Sequence, residues 1–262
     1  MRVLFTIQYL GTRYAGWQTQ SNATGVQQVI EIALSTLCKQ PMRIEGAGRT
    51  DSGVHARGQR AHADLPIQIR PRGLLLGLND LLPADIRIVD VVPVADPFHA
   101  RFDASSKTYV YQIWNDSVAE VFHALTYAHV ASRLEMGRMR DAAKALVGRH
   151  DFKSFTVAEP EVSSTTRTIK SVSVESEGRK VWIRVTADGF LRHMVRRIAG
   201  SLIEIGRGKL PTDAMRDALE PAFAPARWTA PAHGLVLENV EYDASHRPGP
   251  PESADDKMTA EA

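Results

Sequence analysis

The sequence predicts an α+β fold of two ferredoxin-like halves, each running β-α-β-β-α-β, that form a pseudo-symmetric mixed and antiparallel sheet with a central cleft for an active site. Three observations carry this. Segments with apolar residues at every second position alternate with segments in which they recur at helical spacing. The same order of elements is met twice along the chain without repetition of sequence, and each pass matches the split β-α-β unit. A length of 262 residues is ample for two such units and a real core.

Residues 2–9 place Val3, Phe5, Ile7 and Tyr9 on one side of an extended chain and Leu4, Thr6 and Gln8 on the other, which is a strand. A loop with Gly11, Tyr14, Gly16 and Trp17 follows. Thr24 with Gln27 three residues on is a capping-box pattern. Behind it Val26, Val29, Ile30, Ala33, Leu34 and Leu37 fall at helical spacing, and Pro41 is the stop. Residues 42–45 predict a short strand, 46–59 a glycine-rich loop, and 59–65 the return strand. Pro71 suits the first turn of a helix running through Leu74, Leu75, Leu78, Leu81 and Leu82, which Pro83 closes. Ile86, Ile88, Val89, Val91 and Val92 make the last strand of this half.

The second half opens with an alternating strand at 107–114. Leu134, Met139, Ala142, Ala143, Leu146 and Val147 predict a helix over 133–147, ended by Gly148. Strands at 166–176 and 179–187 flank Glu177-Gly178, a hairpin signal. A helix over 190–205, a short one after Pro211 and a closing strand at 235–242 complete the pattern. The domain reading is therefore 1–104, 105–245, and a Pro- and acid-rich tail at 246–262 expected to be disordered.

Composition narrows the function classes. Hydrophobic content of 44% and charged content of 24% are those of a soluble globular chain. No apolar run approaches a membrane span, and residues 1–5 enter a strand pattern without the layout of a signal peptide. Cys38 is the single cysteine, which excludes an intrachain disulfide and a Cys-rich zinc site. A cytoplasmic location is the simplest expectation. The formal net charge of +2 includes Glu252, Asp255, Asp256 and Glu261 of the tail against Arg247 and Lys257, so the body is somewhat more basic than the whole. That permits a nucleic-acid partner.

Four stretches carry candidate chemistry. In residues 46–59 the glycines at 46, 48, 53 and 58 surround one carboxylate, Asp51, with Arg49 and Arg57 nearby. A loop this demanding of the backbone is costly as mere connection and reads first as a site; a tight turn in which Asp51 caps backbone N–H groups is the alternative. A lone carboxylate can serve as nucleophile, general base or metal ligand. Asp51, His55, His62 and Asp64 lie close in sequence, but their spacings match no standard zinc pattern, so no metal is expected. In 107–114, Tyr109, Tyr111 and Ile113 share one face, either as core filling or with a tyrosine that stacks on a base. In 189–198, Leu191, Met194, Val195 and Ile198 begin a buried stripe continued by Leu202 and Ile205. Arg192, Arg196 and Arg207 gather opposite, with His193 and Arg197 beside them, either as a solvated charged face or, the reading favoured here, as one suited to phosphate or carboxylate. In 97–103, His99 and Arg101 belong either to a packed crossover or to the cleft floor.

Taken together these stretches resemble the tRNA pseudouridine synthases of the TruA type. Residues 46–59 are similar to that family's signature loop, in which the aspartate of Arg-Thr-Asp is the nucleophile, here Asp51, with Arg49 preceding it. Lys107-Thr108-Tyr109-Val110-Tyr111 is similar to the strand whose first tyrosine lies against the target uracil, which falls on Tyr109. Residues 190–200 resemble the helix whose Met-Val-Arg arginine pairs with the aspartate, which falls on Arg196. Ala232-His233-Gly234-Leu235 resembles a segment that sets a leucine beside the base, here Leu235. Phe98-His99-Ala100-Arg101-Phe102 also matches, and the chain departs at Ser52, where many members carry alanine. The resemblance runs in order from the first strand to about Tyr242. It implies isomerisation of uridine to pseudouridine at positions 38, 39 and 40 of tRNA, with no cofactor or metal, by a homodimer whose two subunits both contact the tRNA. A non-catalytic RNA-binding module of two such halves would not need the Arg-Thr-Asp loop, and a metal-dependent hydrolase would need the histidines near Asp51.

Overall fold

The two periodicities fold into one ten-stranded sheet with helices packed against it. The computed structural model describes residues 1–20, 22–157, 163–220 and 228–243; the predicted tail lies outside them. The first half runs β1 (Arg2–Tyr9), α1 (Val26–Cys38), β2 (Glu45–Gly46), β3 (His55–Asp64), α2 (Pro71–Leu81) and β4 (Ile86–Pro93). The second runs β5 (Ala104–Asn115), β6 (Ala128–Val130), α3 (Met136–Ala143), β7 (Gly148–Asp151), β8 (Thr166–Glu177), β9 (Lys180–Ala187), α4 (Met194–Gly206), α5 (Ala214–Asp217) and β10 (Leu235–Tyr242). No helix among the described residues is long and apolar enough to cross a membrane.

The sheet order is β4-β1-β3-β10-β5-β9-β8-β7, with β2 on β3 and β6 on β5. Each half thus places its strands in the same succession, β4-β1-β3-β2 and β10-β5-β9-β8, which is the pseudo-symmetry the repeated pattern predicts. The pairs along this path are antiparallel except the seam, where β10 runs parallel to β3 with Val236 opposite His55 and Leu237 opposite Ala56. Further along the same edge of β3, β2 takes Ala61 and His62. The loop between β2 and β3 therefore ends where the second half joins the first.

Helix burial follows the apolar spacing. Val26, Ile30, Ala33 and Leu34 of α1 and Leu74 and Leu78 of α2 are buried; α1 and α2 pack together and α2 lies against β4. In the second half α3 packs on α4 and over β8, and α4 lies against β5. β5 is covered on both faces at its centre, with Tyr109, Val110, Tyr111, Gln112 and Ile113 all buried.

Several predicted boundaries move, each for a local reason. The capping box at Thr24 does not form. Gly25 is the N-cap, and the Gln27 amide donates instead to the Ile44 carbonyl and to Glu31 Oε1, both at 3.0 Å. Residues 42–44 are not a strand because α1 side chains take their backbone donors: the Met42 N–H bonds Ser35 Oγ at 2.8 Å and the Ile44 N–H bonds Glu31 Oε1 at 3.1 Å. The helix expected from 190 begins at Met194, since His193 is left-handed at φ 61° and cannot continue a helical turn. The helix expected to 147 closes as a 3₁₀ turn at Lys144–Leu146, and the added strands β6 and β7 are short.

The seam demands a glycine. A Cβ on Gly58 would stand 2.4 Å from the Glu238 carbonyl oxygen and 3.1 Å from Asn239 Cα. Gly58→Ala is expected to destabilise the fold by about 1–3 kcal/mol, the usual cost of overpacking. Urea unfolding followed by circular dichroism checks this, and an unchanged midpoint would show that β3 and β10 part without cost.

Candidate active site

The 47–54 loop is pinned on both sides of Asp51. Before it, the Ala47 N–H bonds the Arg60 carbonyl at 2.7 Å and the Gln59 amide donates to the Gly48 carbonyl at 2.8 Å. The Thr50 hydroxyl meets the buried Tyr9 hydroxyl at 2.8 Å, and the Thr50 carbonyl accepts the Trp17 N–H at 3.1 Å. After it, Ser52 Oγ donates to the Tyr14 carbonyl at 3.2 Å and the Val54 N–H turns back to the Asp51 carbonyl at 3.1 Å. The 11–18 loop lies close beneath: Gly16 has φ 97°, and a side chain there would stand 2.4 Å from the Thr50 carbonyl oxygen. Loop geometry is thus set by the frame, and the Asp51 carboxylate projects from it a quarter exposed.

Helix α4 brings the counter-charge. Arg196 Nη1 is 3.2 Å from Asp51 Oδ2, and Arg196 Nε donates to the Ala230 carbonyl at 2.9 Å. The Ala230 N–H returns a bond to the Arg196 carbonyl at 3.0 Å. The guanidinium is held at two points, so its direction toward Asp51 is set by the backbone rather than chosen in solution. His193, the left-handed residue that caps α4, sets Nε2 3.5 Å from the same Oδ2. Burial pushes its imidazole below the usual histidine range, opposed by Asp51 and reinforced by Arg196, Arg192 and Arg197.

These groups open on a cavity of about 680 Å³, within the range of small-ligand sites. Its lining includes Asp51, Arg196, Tyr109, Arg49, Leu235, Arg101 and Arg192, so seven of the residues singled out by the sequence meet there. Tyr109 is 7% exposed, and its ring stands edge-on to Phe190 with centroids 5.1 Å apart. Burial raises its phenol far above the ordinary tyrosine value, so the hydroxyl stays protonated at neutral pH. Tyr111, on the same face of β5, is core: it is fully buried and donates to the Pro231 carbonyl at 2.9 Å. The cavity also takes in His193, which the sequence places beside Arg192, and Trp17, Lys107, Arg167 and Phe190, which the sequence reading did not choose. Lys107 carried a signal, since alternation places it on the face of Tyr109; Arg167, at the start of β8, carried none.

Other expectations are corrected. Arg57 turns away from Asp51 and pairs with Glu238 at 3.0 Å across the seam. The arginines of the 192–207 segment do not form one face. Arg197 donates to the carbonyls of Ser154 and Thr156, and Arg207 binds Glu204 and Ser132. His99 is not among the residues lining the cavity; its Nε2 donates to Glu45 at 3.0 Å and its ring packs on His62 and Phe102.

The four metal candidates of the sequence disperse. His55 Nδ1 accepts the Gly11 N–H at 2.9 Å while Nε2 faces the carbonyls of Leu125 and His233, and Asp64 pairs with Arg2. Glu45, His62 and His99 do cluster with ligand atoms within 4.8 Å of one another. Yet both rings accept backbone N–H groups at Nδ1, from Ala100 and from Arg101 and Phe102. That fixes the protons on Nε2, the atoms an ion would need, so this donor set fits hydrogen bonding better than a metal.

The comparisons agree with one another. A family described as tRNA pseudouridine synthase matches residues 6–103 and 142–243. A Bacillus subtilis protein named tRNA pseudouridine synthase A is 42% identical over 246 residues, 93% of this chain and 100% of that one. Proteins of the same name from Pseudoalteromonas translucida and Myxococcus xanthus are 41% and 40% identical, covering 92% and 95% of this chain and 92% and 94% of their own.

The pinning of the loop is open to test. Tyr9→Phe removes the bond to the buried Thr50 hydroxyl and is expected to cost about 0.5–1.5 kcal/mol. It is also expected to speed hydrogen exchange at the Trp17 amide, whose acceptor is the Thr50 carbonyl. Unaltered exchange there would mean that the loop holds its shape without Tyr9.

Proposed function

The chain belongs to the tRNA pseudouridine synthase family, and on that premise we propose that it isomerises uridine to pseudouridine at positions 38, 39 and 40 in the anticodon arm of tRNA, with Asp51 as nucleophile. The observation that carries the reading is the Asp51–Arg196 pair at 3.2 Å, set in a cavity whose wall includes Tyr109. A carboxylate held this way by a two-point guanidinium is fixed in direction before substrate arrives.

The reaction breaks the N1–C1′ bond, turns the base and forms C5–C1′; the proton on C5 leaves and N1 gains one. Nothing is oxidised, so no redox partner is needed. Asp51 supplies the electron pair that adds to the sugar C1′ or the base C6, and Arg196 balances its charge. Tyr109, neutral and fixed edge-on by Phe190, offers a ring for the uracil to lie against, and Leu235 an apolar contact beside it. Arg49, Arg101 and Arg192 supply positive charge to the polynucleotide. The uridine must leave its stack, which costs a few kcal/mol, and phosphate contacts offset that. The halves 1–104 and 105–245 act as two walls of this cleft, and the work belongs in the cytoplasm.

We further propose a homodimer. Val118, Val121, Phe122 and Leu125 form an apolar segment 72%, 82%, 93% and 56% exposed, and a run of this kind marks a contact surface. A second copy of the chain is its proposed occupant.

Release of tritium from tRNA labelled at uridine C5 tests the activity. Wild type is expected to release it without added metal. Asp51→Asn is expected to bind tRNA yet fall by at least about 10²-fold, as for loss of one catalytic group. Binding without release by wild type would favour an RNA-binding module instead. Sedimentation tests the dimer: wild type is expected at twice the chain mass and Phe122→Glu at the monomer mass, and a monomeric wild type removes the proposal.

A further inference from the structure

We propose that Arg101, Lys107 and Arg167 together grip one backbone phosphate of the nucleotide that enters the cavity. The inference rests on the reading of that cavity as an RNA site and adds which groups hold the strand there.

Lys107 lies two residues before Tyr109 on β5, so the strand's alternation sends both to the same face, and both line the cavity. A Cβ on Gly48 would stand 3.7 Å from Lys107 Nζ, which sets the ammonium against the backbone of the Asp51 loop. The side chain is half-buried, yet among the described residues it makes no hydrogen bond and has no carboxylate within 4.0 Å. The charged groups that act on it are Arg101, from the turn before β5, and Arg167, from the start of β8, both cationic. All three line the cavity, and none of them pairs with a carboxylate among the described residues, an arrangement that an anion would relieve.

Several cations elsewhere among the described residues do have an acid partner. Arg57 has Glu238, Arg196 has Asp51, and Arg207 has Glu204. Among the described residues Arg167 engages only Nη1, with the carbonyls of Ser164 and Thr166. The Arg101 guanidinium lies 5.7 Å from the Phe102 ring and hydrogen-bonds no described residue. Two forks and a point charge lining one cavity suit the oxygens of a phosphodiester.

Burial, then Arg101 and Arg167, pull the lysine down to about 8. A bound phosphate favours the ammonium and raises it again. Binding therefore takes up a proton above about pH 8, and affinity falls as pH rises through that range.

The test measures binding of a tRNA transcript against salt and pH for wild type, Lys107→Met and Lys107→Arg, with tritium release run in parallel. Lys107→Met is expected to bind about tenfold weaker or worse. Its slope of log affinity against log salt is expected to be shallower by about 0.7–0.9. Lys107→Arg is expected to keep the slope and lose the fall in affinity between pH 7.5 and 9.5 that wild type shows. A transcript with a neutral methylphosphonate beside the target uridine is expected to weaken wild type equally and to lose nothing more with Lys107→Met. An unchanged slope and affinity in Lys107→Met, or losses that simply add, would overturn the grip. Absence of tritium release by wild type would count against the isomerase reading alone, because the binding slopes decide the grip independently.

Discussion

One ion pair constrains the rest of the molecule. Asp51 and Arg196 are 145 residues apart and come from different halves, yet Nη1 and Oδ2 must stand within hydrogen-bond reach. A few tenths of an ångström decide whether such a contact is a bond. The surroundings are built to that tolerance. Backbone and hydroxyl bonds pin the loop around Asp51, the Ala230 turn clamps Arg196 from behind, and the seam between β3 and β10 fixes one half against the other. The cost is borne by glycines with no room for a side chain and by a histidine in a left-handed backbone conformation.

The division of labour among the arginines follows from their partners rather than their positions. Arg57 and Arg207 neutralise acids, Arg197 ties down backbone carbonyls of a neighbouring segment, and these serve architecture. Arg196 serves the candidate site because its acid is Asp51. A wheel drawn on the sequence treats all of them alike, since it knows angle and not depth. Helix α4 is buried on every side except at Arg196 and Arg197, so the picture of an apolar stripe opposite a wet basic face does not hold for it.

Legibility in the sequence tracked the range of the interactions. Strands and helices that repeat an apolar period over several turns were readable, as at β1, α2 and β10, because burial of one face is a local pattern. Glycine spacing pointed to the loop around Asp51 because backbone freedom is also local, though residues 55–59 of the expected loop already belong to β3. The errors fall where a distant group competes. Residues 42–44 look extended but give their donors to side chains of α1, and Thr24 loses its cap because Gln27 is drawn to Ile44. His99 looked like a site residue and is held by Glu45 and His62. Arg167 joins the cavity through the tertiary fold, and no neighbour in sequence announces it.

The position of β10 has a consequence for synthesis. The last strand of the sheet in chain order inserts at its middle, between β3 and β5. While a ribosome still holds residues 235–242, β3 and β5 each present a bare edge where β10 belongs. The nascent chain then owns the carboxylate and the guanidinium but not the wall that aligns them. The sheet cannot close until β10 has been made, and contacts of such long sequence separation make that closure slow. The growing chain spends that interval with unpaired strand edges, the state most prone to wrong partners, so the exposure of the unfinished sheet is set by where its last strand inserts.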